Sequence, residues 1–375
     1  MKFIVERDPL IDAVNWVARS ISSRPIQTAL LGIKLEVSDS ITLTGSDLET
    51  STKAVIKADI QEKGTVLVPG RLLAEIARSL PAKPISFVLD GTRVLVSAGS
   101  AKFTLPTLPV NEYPQLPTLP ETAGEIDSDT FATAVNQVAI AAGRDDSLPT
   151  LTGVHIEINR NTITLAATDR YRLAVKEISW TPKDGGIEAQ TLLRARTLSD
   201  AAKSLVGSAK VTFALSPSTS IEKLVGFVSE EKTMTSRTLD GTFPPFRHLL
   251  PAESTAEATI EVAPLLDSVR RVALVTDKTV PLRLSFANNN LRLEAGAGDD
   301  AQATENIDIN YKGEEINIAF NPTFLTDGLQ AINSPFVNIS FTGDKKPAVL
   351  TGKSEPGGAI NNNYKYLLMP MRYTS

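Results

Sequence analysis

The sequence predicts an α+β fold built from three copies of one helix-strands-helix-strands unit. Three observations carry this prediction. An amphipathic helix pattern recurs from Leu10, Phe131 and Leu265, an alternating strand follows each of them, and a second helix pattern stands midway through each copy.

The first helix of copy one places Leu10, Ala13, Val14, Val17, Ala18 and Ile21 on a single stripe, the spacing of a helix with one buried face. Copy two repeats it with Phe131, Ala134, Val135, Val138, Ala139 and Ala142. Copy three holds Leu265, Ser268, Val269, Val272, Ala273 and Thr276, more polar toward its end. Start signals agree with this phase: Asp8-Pro9, Ser128-Asp129 and Ala263-Pro264. Strands follow at Ile33-Lys-Leu-Glu-Val37, Val154-His-Ile-Glu-Ile158 and Leu282-Arg-Leu-Ser-Phe286, apolar on alternate residues. Short partners at Ile41 to Leu43, Ile163 to Leu165 and Leu291 to Leu293 make each a hairpin.

The second helices carry Leu73, Ile76, Ala77 and Leu80, then Leu198, Ala201, Ala202 and Leu205, then Leu325, Gly328, Leu329 and Ile332. Further strands are predicted at Ile85 to Leu89, Val211 to Leu215 and Val337 to Phe341. The chain of 375 residues, 42% hydrophobic, divides into units of roughly 125 residues, an ordinary domain size. Proline-rich stretches at Pro106 to Pro120 and Pro244 to Pro251 put the boundaries near 123 and 255, giving domains 1–123, 124–255 and 256–375.

There are no cysteines, so thiolate metal sites and a Cys nucleophile are excluded. No apolar leader pattern or 18-residue apolar run is present, and a cytoplasmic protein is expected. No phosphate loop, HExxH, EF-hand or GxSxG pattern occurs, and Gly296-Ala-Gly298 lacks a third glycine. His155 sits on the polar side of its strand and reads as an exposed sheet residue, which leaves His248 as the only other histidine. The pairs Asp145-Asp146, Glu230-Glu231 and Asp299-Asp300 fall at turns or strand ends, where solvated charge is the ordinary explanation. Neither a catalytic residue nor a metal or cofactor site is expected.

A net charge of −5 argues against tight nucleic-acid binding by a dense basic patch. Basic residues nevertheless punctuate the helices: Arg19, Arg78, Lys203, Arg270 and Arg271 opposite the core stripes, Arg71 and Arg196 at helix starts, Arg24 and Arg144 beyond helix ends. Acidic residues share those helices, so a solvated mixed face is the first reading and a DNA-facing surface the second. Two segments exceed what the repeat requires: Ala167-Thr-Asp-Arg-Tyr-Arg-Leu-Ala174 and Tyr366-Leu-Leu-Met-Pro-Met-Arg372. The second is unusually apolar and rich in Met, which suits either core packing or an adaptable binding surface.

At these residues the chain resembles the bacterial DNA polymerase III beta subunit family, the sliding clamps. The resemblance covers essentially the whole chain, through Met1-Lys2-Phe3, Thr44-Gly-Ser-Asp-Leu-Glu49, Thr168-Asp-x-x-Arg-Leu-Ala174, Asp240-Gly-x-Phe-Pro244 and Met369-Pro-Met-Arg372. It implies a head-to-tail homodimeric ring of pseudo-sixfold symmetry, with helices lining the hole and sheets outside. Such a ring encircles double-stranded DNA without reading sequence and tethers polymerase as a processivity factor. Geometry agrees, since six helices at roughly 10 Å spacing enclose only about 9 Å of free space, whereas twelve from two chains leave roughly 28 Å. A ring held by topology needs no tight phosphate contacts, and Arg24, Arg71, Arg78, Arg144, Arg196 and Lys203 would then steer the duplex.

The resemblance also implies a pocket for short linear peptides from the replicative polymerase, clamp loader and repair or translesion polymerases. It carries over to Leu151, Thr168, Arg172, Leu173, Pro244 and Leu249, and to Leu367, Leu368, Met369, Pro370, Met371 and Arg372. This chain departs from the common pattern at Arg170 and Tyr171, where Gly and His are frequent, and at His248, where Arg is frequent. For the dimer contact the resemblance points to Phe103 and Leu105 on an edge strand and to Leu274 and Val275 after the first helix of copy three. The alternative reading is a repeat-built interaction scaffold that does not encircle DNA.

Overall fold

A computed structural model describes residues 1–22, 25–183, 185–217, 219–276, 280–296 and 301–372. Copy one comprises β1 (Lys2–Val5), α1 (Arg7–Ala18), β2 (Gly32–Val37), β3 (Ile41–Ser46), β4 (Thr50–Ile56) and β5 (Asp59–Glu62). It continues with β6 (Gly64–Pro69), α2 (Gly70–Ser79), β7 (Ile85–Asp90), β8 (Arg93–Ala98) and β9 (Ala101–Pro106). Copy two has β10 (Thr122–Asp127), α3 (Ser128–Ala139), β11 (Gly153–Arg160), β12 (Thr162–Thr168), β13 (Arg172–Ser179) and β14 (Thr181–Pro182). Then come β15 (Ile187–Arg194), α4 (Ala195–Leu205), β16 (Lys210–Leu215), β17 (Leu224–Ser229) and β18 (Lys232–Arg237). Copy three has β19 (Ala256–Glu261), α5 (Val262–Val272), β20 (Leu282–Ala287), β21 (Asn290–Ala295), β22 (Ala303–Asp308) and β23 (Asn310–Lys312). It ends with β24 (Ile316–Phe320), α6 (Pro322–Ala331), β25 (Phe336–Phe341), β26 (Ala348–Lys353) and β27 (Ile360–Leu368).

The predicted helices and hairpins fall on these elements, but each first helix ends sooner than its stripe, and Leu80 and Ile332 lie one residue beyond α2 and α6. Ile21, Ala142 and Thr276 lie beyond the helices, where the backbone tightens to i→i−3 bonds: Ile21 N to Ala18 O, Ala142 N to Ala139 O and Thr276 N to Ala273 O. Ile21 and Ala142 are still buried, so the stripe marks core contact rather than helix length. Trp16 lies off the stripe, yet it is fully buried because its indole Nε1 donates to Lys53 O at 3.0 Å.

The sheets do not respect the copies. Strand order in one nine-stranded sheet is β14-β10-β16-β17-β18-β4-β3-β2-β6, so five strands of copy two continue into four of copy one. A second, β15-β11-β12-β13-β27-β26-β25-β19-β23, joins four strands of copy two to five of copy three. What remains is a five-stranded sheet of copy one, β5-β1-β7-β8-β9, and a four-stranded sheet of copy three, β22-β21-β20-β24. Accordingly the chain forms two compact units that cut through the middle copy. The first is Met1–Ala132, Trp180–Ile187 and Ser199–Thr238, and the second is Thr133–Ser179, Glu188–Leu198 and Leu239–Ser375. Within the first, α1 packs on α2, β3 and β4; within the second, α5 packs on α6 and α6 on β27.

Each copy closes in the same way. Leu108 N donates to Leu67 O, Leu239 N to Leu192 O and Met371 N to Ala319 O, at 2.7–2.8 Å. The segment leaving each last strand thereby caps the edge of β6, β15 or β24, and the chain's C-terminal residues are the third instance of this device. Among the described residues no helix is long and apolar enough to cross a membrane.

Candidate functional site

In the second unit, one row of facing residues crosses four strands: Thr168 opposite Leu173, Leu173 opposite Leu367, and Leu367 opposite Val349. The next row sets His155 opposite Ala166, and Ala166 opposite Val175. Ala166, Leu173, Val175, Leu192, Val349 and Leu367 form one buried apolar cluster. Phe243 and Phe246, from the segment after β18, complete it, with Leu239 and Leu250 packed at its margin. Large apolar side chains nevertheless stand exposed close to it in sequence: Tyr171 at 57%, Leu249 at 45% and Met369 at 39%. Arg170, Pro244, His248 and Arg372 are also exposed, and Pro370 and Met371 are half-buried. Leu151 is buried in the turn Pro149–Thr152, where its carbonyl accepts from Gly143 N at 2.7 Å. A buried apolar row with exposed apolar and basic side chains nearby in the chain is a composition that suits a short peptide with hydrophobic anchors.

The turn between β12 and β13 is built by its own side chains. Thr168 Oγ1 accepts from Arg170 N and donates to Arg172 O, while Asp169 Oδ1 accepts from Tyr171 N and Arg172 N. This closure holds Arg170 at φ 80°, a left-handed conformation that favours glycine. Alternation along the strands sends Arg172 and Leu368 to the opposite face from Leu173 and Leu367. Leu368 is therefore a core residue, and Arg172 meets α6 instead of the apolar row. Its Nε lies 2.9 Å from Asp169 Oδ2, its Nη1 lies 2.6 Å from Asp327 Oδ2, and its guanidinium covers the Phe324 ring at 4.2 Å. Burial alone would discourage its charge, but Tyr366, Asp327 and Asp169 hold it firmly protonated. Tyr366 donates to Phe324 O at 2.8 Å, and Gly328 admits it, since a Cβ there would come within 2.4 Å of the ring.

His155 differs from its expected exposure. It is largely buried, stacked on Phe243 with centroids 5.1 Å apart and planes 5° from parallel. Burial pushes its pKa down, Glu157 resists this and Arg247 reinforces it. Glu157 also pairs with Arg247 at 2.8 Å, and Arg247 lies over Phe246, so β11 fastens the segment that carries both phenylalanines. Sequence reasoning missed Phe246, Val349, Phe324 and Asp327, whose partners are distant in the chain; Phe243 lay within a recognised motif without a role.

The first unit carries a counterpart of this site. The turn between β3 and β4 repeats the four bonds of Thr168 Oγ1 and Asp169 Oδ1 with Ser46 and Asp47, and holds Leu48 at φ 76°. Its row is Ser51 opposite Thr235 and Thr235 opposite Gly226, polar and small. Leu119 sits against Gly226, where an added Cβ would come within 2.3 Å of Leu119 Cδ1. Leu119 thus lies over Gly226 from within the chain, although 40% exposed itself.

The basic residues sort by pairing. Arg19 pairs with Asp200, Arg270 with Asp267 and Arg271 with Glu305. Arg71, Arg78, Arg144, Arg196 and Lys203 are exposed, and none closes an ion pair with another described residue. Arg71 and Arg78 on α2 match Arg196 and Lys203 on α4, seven residues apart on one helix face in each case; α6 has the uncharged Thr323 and Gln330 there. Arg24 lies outside the described residues, as do Gly298, Asp299 and Asp300. Of the residues expected at a dimer contact, Leu274 is 84% exposed, Phe103 and Val275 are half-buried, and Leu105 is fully buried in its own unit. A change at Leu105 therefore tests folding before it tests association. Among the described residues no cluster of His, Asp or Glu is placed to hold a metal ion.

The family model for the DNA polymerase III beta subunit matches in three parts: its N-terminal domain at residues 1–117, its central domain at 125–245 and its C-terminal domain at 247–372. The chain is 49% identical to the beta sliding clamp of Streptomyces coelicolor, covering 99% of both chains. It is 42% identical to the beta sliding clamp homolog GriR of Streptomyces muensis over the full length of both. Among solved structures, the Pseudomonas aeruginosa DnaN sliding clamp bound to griselimycin is similar with a TM-score of 0.91 at 26% identity, covering 100% of each chain.

Proposed function

Because the chain belongs to the DNA polymerase III beta subunit family, we propose that two copies close head to tail into a sliding clamp. The observation that carries this is the sheet count. Each complete sheet joins five strands of one copy to four of the preceding one, through β18 with β4 and β27 with β13. By the same rule β9 of the five-stranded sheet is the partner of β22 in the four-stranded one, supplied by a second chain. Two such junctions close a ring of six units, a heterologous contact that terminates itself. Phe103 on β9 and Leu274 and Val275 after α5 belong to that junction.

In the ring, the helices of domains 1–123, 124–255 and 256–375 face duplex DNA. The exposed cations at Arg71, Arg78, Arg144, Arg196 and Lys203 provide weak, sequence-independent attraction, and retention comes from topology. Arg24 belongs to the same set by its place in the sequence. The apolar row on the second nine-stranded sheet is the docking pocket for peptides of the replicative polymerase, loader and repair polymerases. Leu173 and Leu367 form its floor, and Tyr171, Leu249, Met369, Pro370, Met371 and Arg372 belong to its rim. The role is non-catalytic and cytoplasmic.

Retention on DNA tests the reading. Protein loaded on a nicked circular plasmid should co-elute with it and be lost when the circle is cut once. Loss that does not depend on linearisation would instead indicate an ordinary binder or a scaffold that never encircles DNA.

A further inference from the structure

The three copies give one position three different side chains. Lys34, His155 and Arg283 hold the same place in the matching strands Ile33-Lys-Leu-Glu-Val37, Val154-His-Ile-Glu-Ile158 and Leu282-Arg-Leu-Ser-Phe286. Lysine and arginine stay charged throughout the neutral range, whereas histidine is the side chain whose ordinary titration falls within it. Lys34 is paired with Glu36 at 2.9 Å, and Arg283 donates to Gly296 O at 3.4 Å. The middle copy alone puts a switchable charge here, and the chain has just two histidines.

What covers His155 is the segment that leaves β18. Leu239 N donates to Leu192 O at 2.7 Å, Phe243 stacks on the imidazole at 5.1 Å, and Phe246 meets it edge-on at 6.3 Å. Turn bonds from Leu249 N to Phe246 O and from Leu250 N to Arg247 O close the far end, so residues 239–250 form a strap over the ring. Glu157 on β11 lies 4.0 Å from the imidazole Nε2, but Arg247 of the strap engages it at 2.8 Å. On β12 the facing residues Ala166 and Thr164 carry no charge. Glu177 on β13 and Glu188 and Arg194 on β15 are exposed, and Arg194 pairs with Asp146 at 3.6 Å. The strap adds Asp240 and His248, both exposed. Burial outweighs Glu157 and favours the neutral ring.

We propose that His155 is a proton-operated latch: the neutral ring holds the strap 239–250 closed against β11, and a proton taken up at the ring releases the strap while the rest of the second unit stays folded. Under the closed strap an imidazolium is stripped of water and lies beside the Arg247 guanidinium. With the strap lifted it is hydrated, and Glu157, freed from Arg247, is left to pair with it. The strap carries Pro244 and Leu249, so its release disturbs the rim assigned to them; that consequence rests on the pocket reading above, whereas the latch does not.

Hydrogen exchange of the full-length protein, read as protection factors at about pH 7.5 and about pH 5.5, tests the latch without any ligand. The strap should be less protected than β13 at both values, which marks a local opening. Its protection should fall roughly three- to tenfold at the lower pH, about tenfold being the limit for a ring that takes up its proton only when the strap is open. The strap of copy one is the internal control: Leu108 N is held by Leu67 O, and Tyr113 donates to Thr44 O opposite Lys34. It should change less than about twofold. His155→Gln and His155→Phe, the second keeping a ring to stack, should both abolish the difference in strap two and keep the wild-type circular dichroism spectrum. A wild-type strap that changes less than about twofold, one protected as strongly as β13, or the same pH difference in either folded variant would overturn the latch.

Discussion

Leu274→Asp is the sharpest probe of the ring. The side chain is 84% exposed in the single chain, so replacing it removes almost no packing from the monomer. Full burial of a leucine stabilises by about 1.5–3 kcal/mol, so burying the exposed part at each junction contributes about 1.3–2.5 kcal/mol. Two junctions per ring double this to about 2.5–5 kcal/mol, and the dimerisation constant should fall roughly 60- to 4000-fold. That is a lower bound, because an aspartate at the junction would also lose hydration. Sedimentation equilibrium over a concentration series measures it, with a thermal midpoint recorded at concentrations where the variant is monomeric. A constant that moves less than tenfold would remove Leu274 from the interface. Leu105→Asp is the contrasting case: it places a carboxylate where no solvent reaches, so it should unfold the first unit rather than release folded monomers.

Two further outcomes concern the turns and the histidine. The folded pKa of His155 lies below its ordinary 6.5, so the neutral ring is what the fold favours; its contribution is complete above pH 6.5 and is lost as the pH falls through 6.5 toward the folded value. Melts from neutral pH to about pH 5 should show stability falling, and His155→Gln should flatten that slope; an unaltered slope would assign the loss to other groups. Leu48→Gly relieves a left-handed conformation costing about 1–2 kcal/mol, against about 0.5–1 kcal/mol of added chain entropy. The thermal midpoint should rise by about 1–3 °C, and a fall would show that Leu48 contributes more by packing than its backbone costs.

The fold was legible wherever one face of an element is buried by its own copy. The stripes from Leu10, Phe131 and Leu265, and the strands at Ile33, Val154 and Leu282, repeat at fixed offsets because each copy solves the same packing problem. Sheet continuity between copies was not legible, because edge pairing such as Ser51 with Thr235 and Thr50 with Ser236 involves small polar residues without a distinctive pattern. The apolar cluster proposed as the pocket was half legible. Leu173 and Leu367 stand in recognisable motifs, whereas Val349 and Phe246 join them only through long-range register. Arg172 and Leu368 stand on the face opposite Leu173 and Leu367, because adjacent residues on a strand face opposite ways. His155 misled for a related reason: the polar side of its strand is roofed by a segment some ninety residues later, holding Phe243 and Phe246.

Leu119 over Gly226 has a consequence for traffic on the ring. On the proposed pocket reading, with Leu119 lying over the counterpart in the first unit, each chain offers one seat to other proteins and a closed pair offers two. Polymerase, loader and repair proteins that use the same short apolar anchors must then take turns, and which one holds a seat follows from its concentration and its dissociation rate. A partner that engages both seats gains effective concentration over one that reaches only one. On that reading, the number of seats limits how many partners the ring can hold at once.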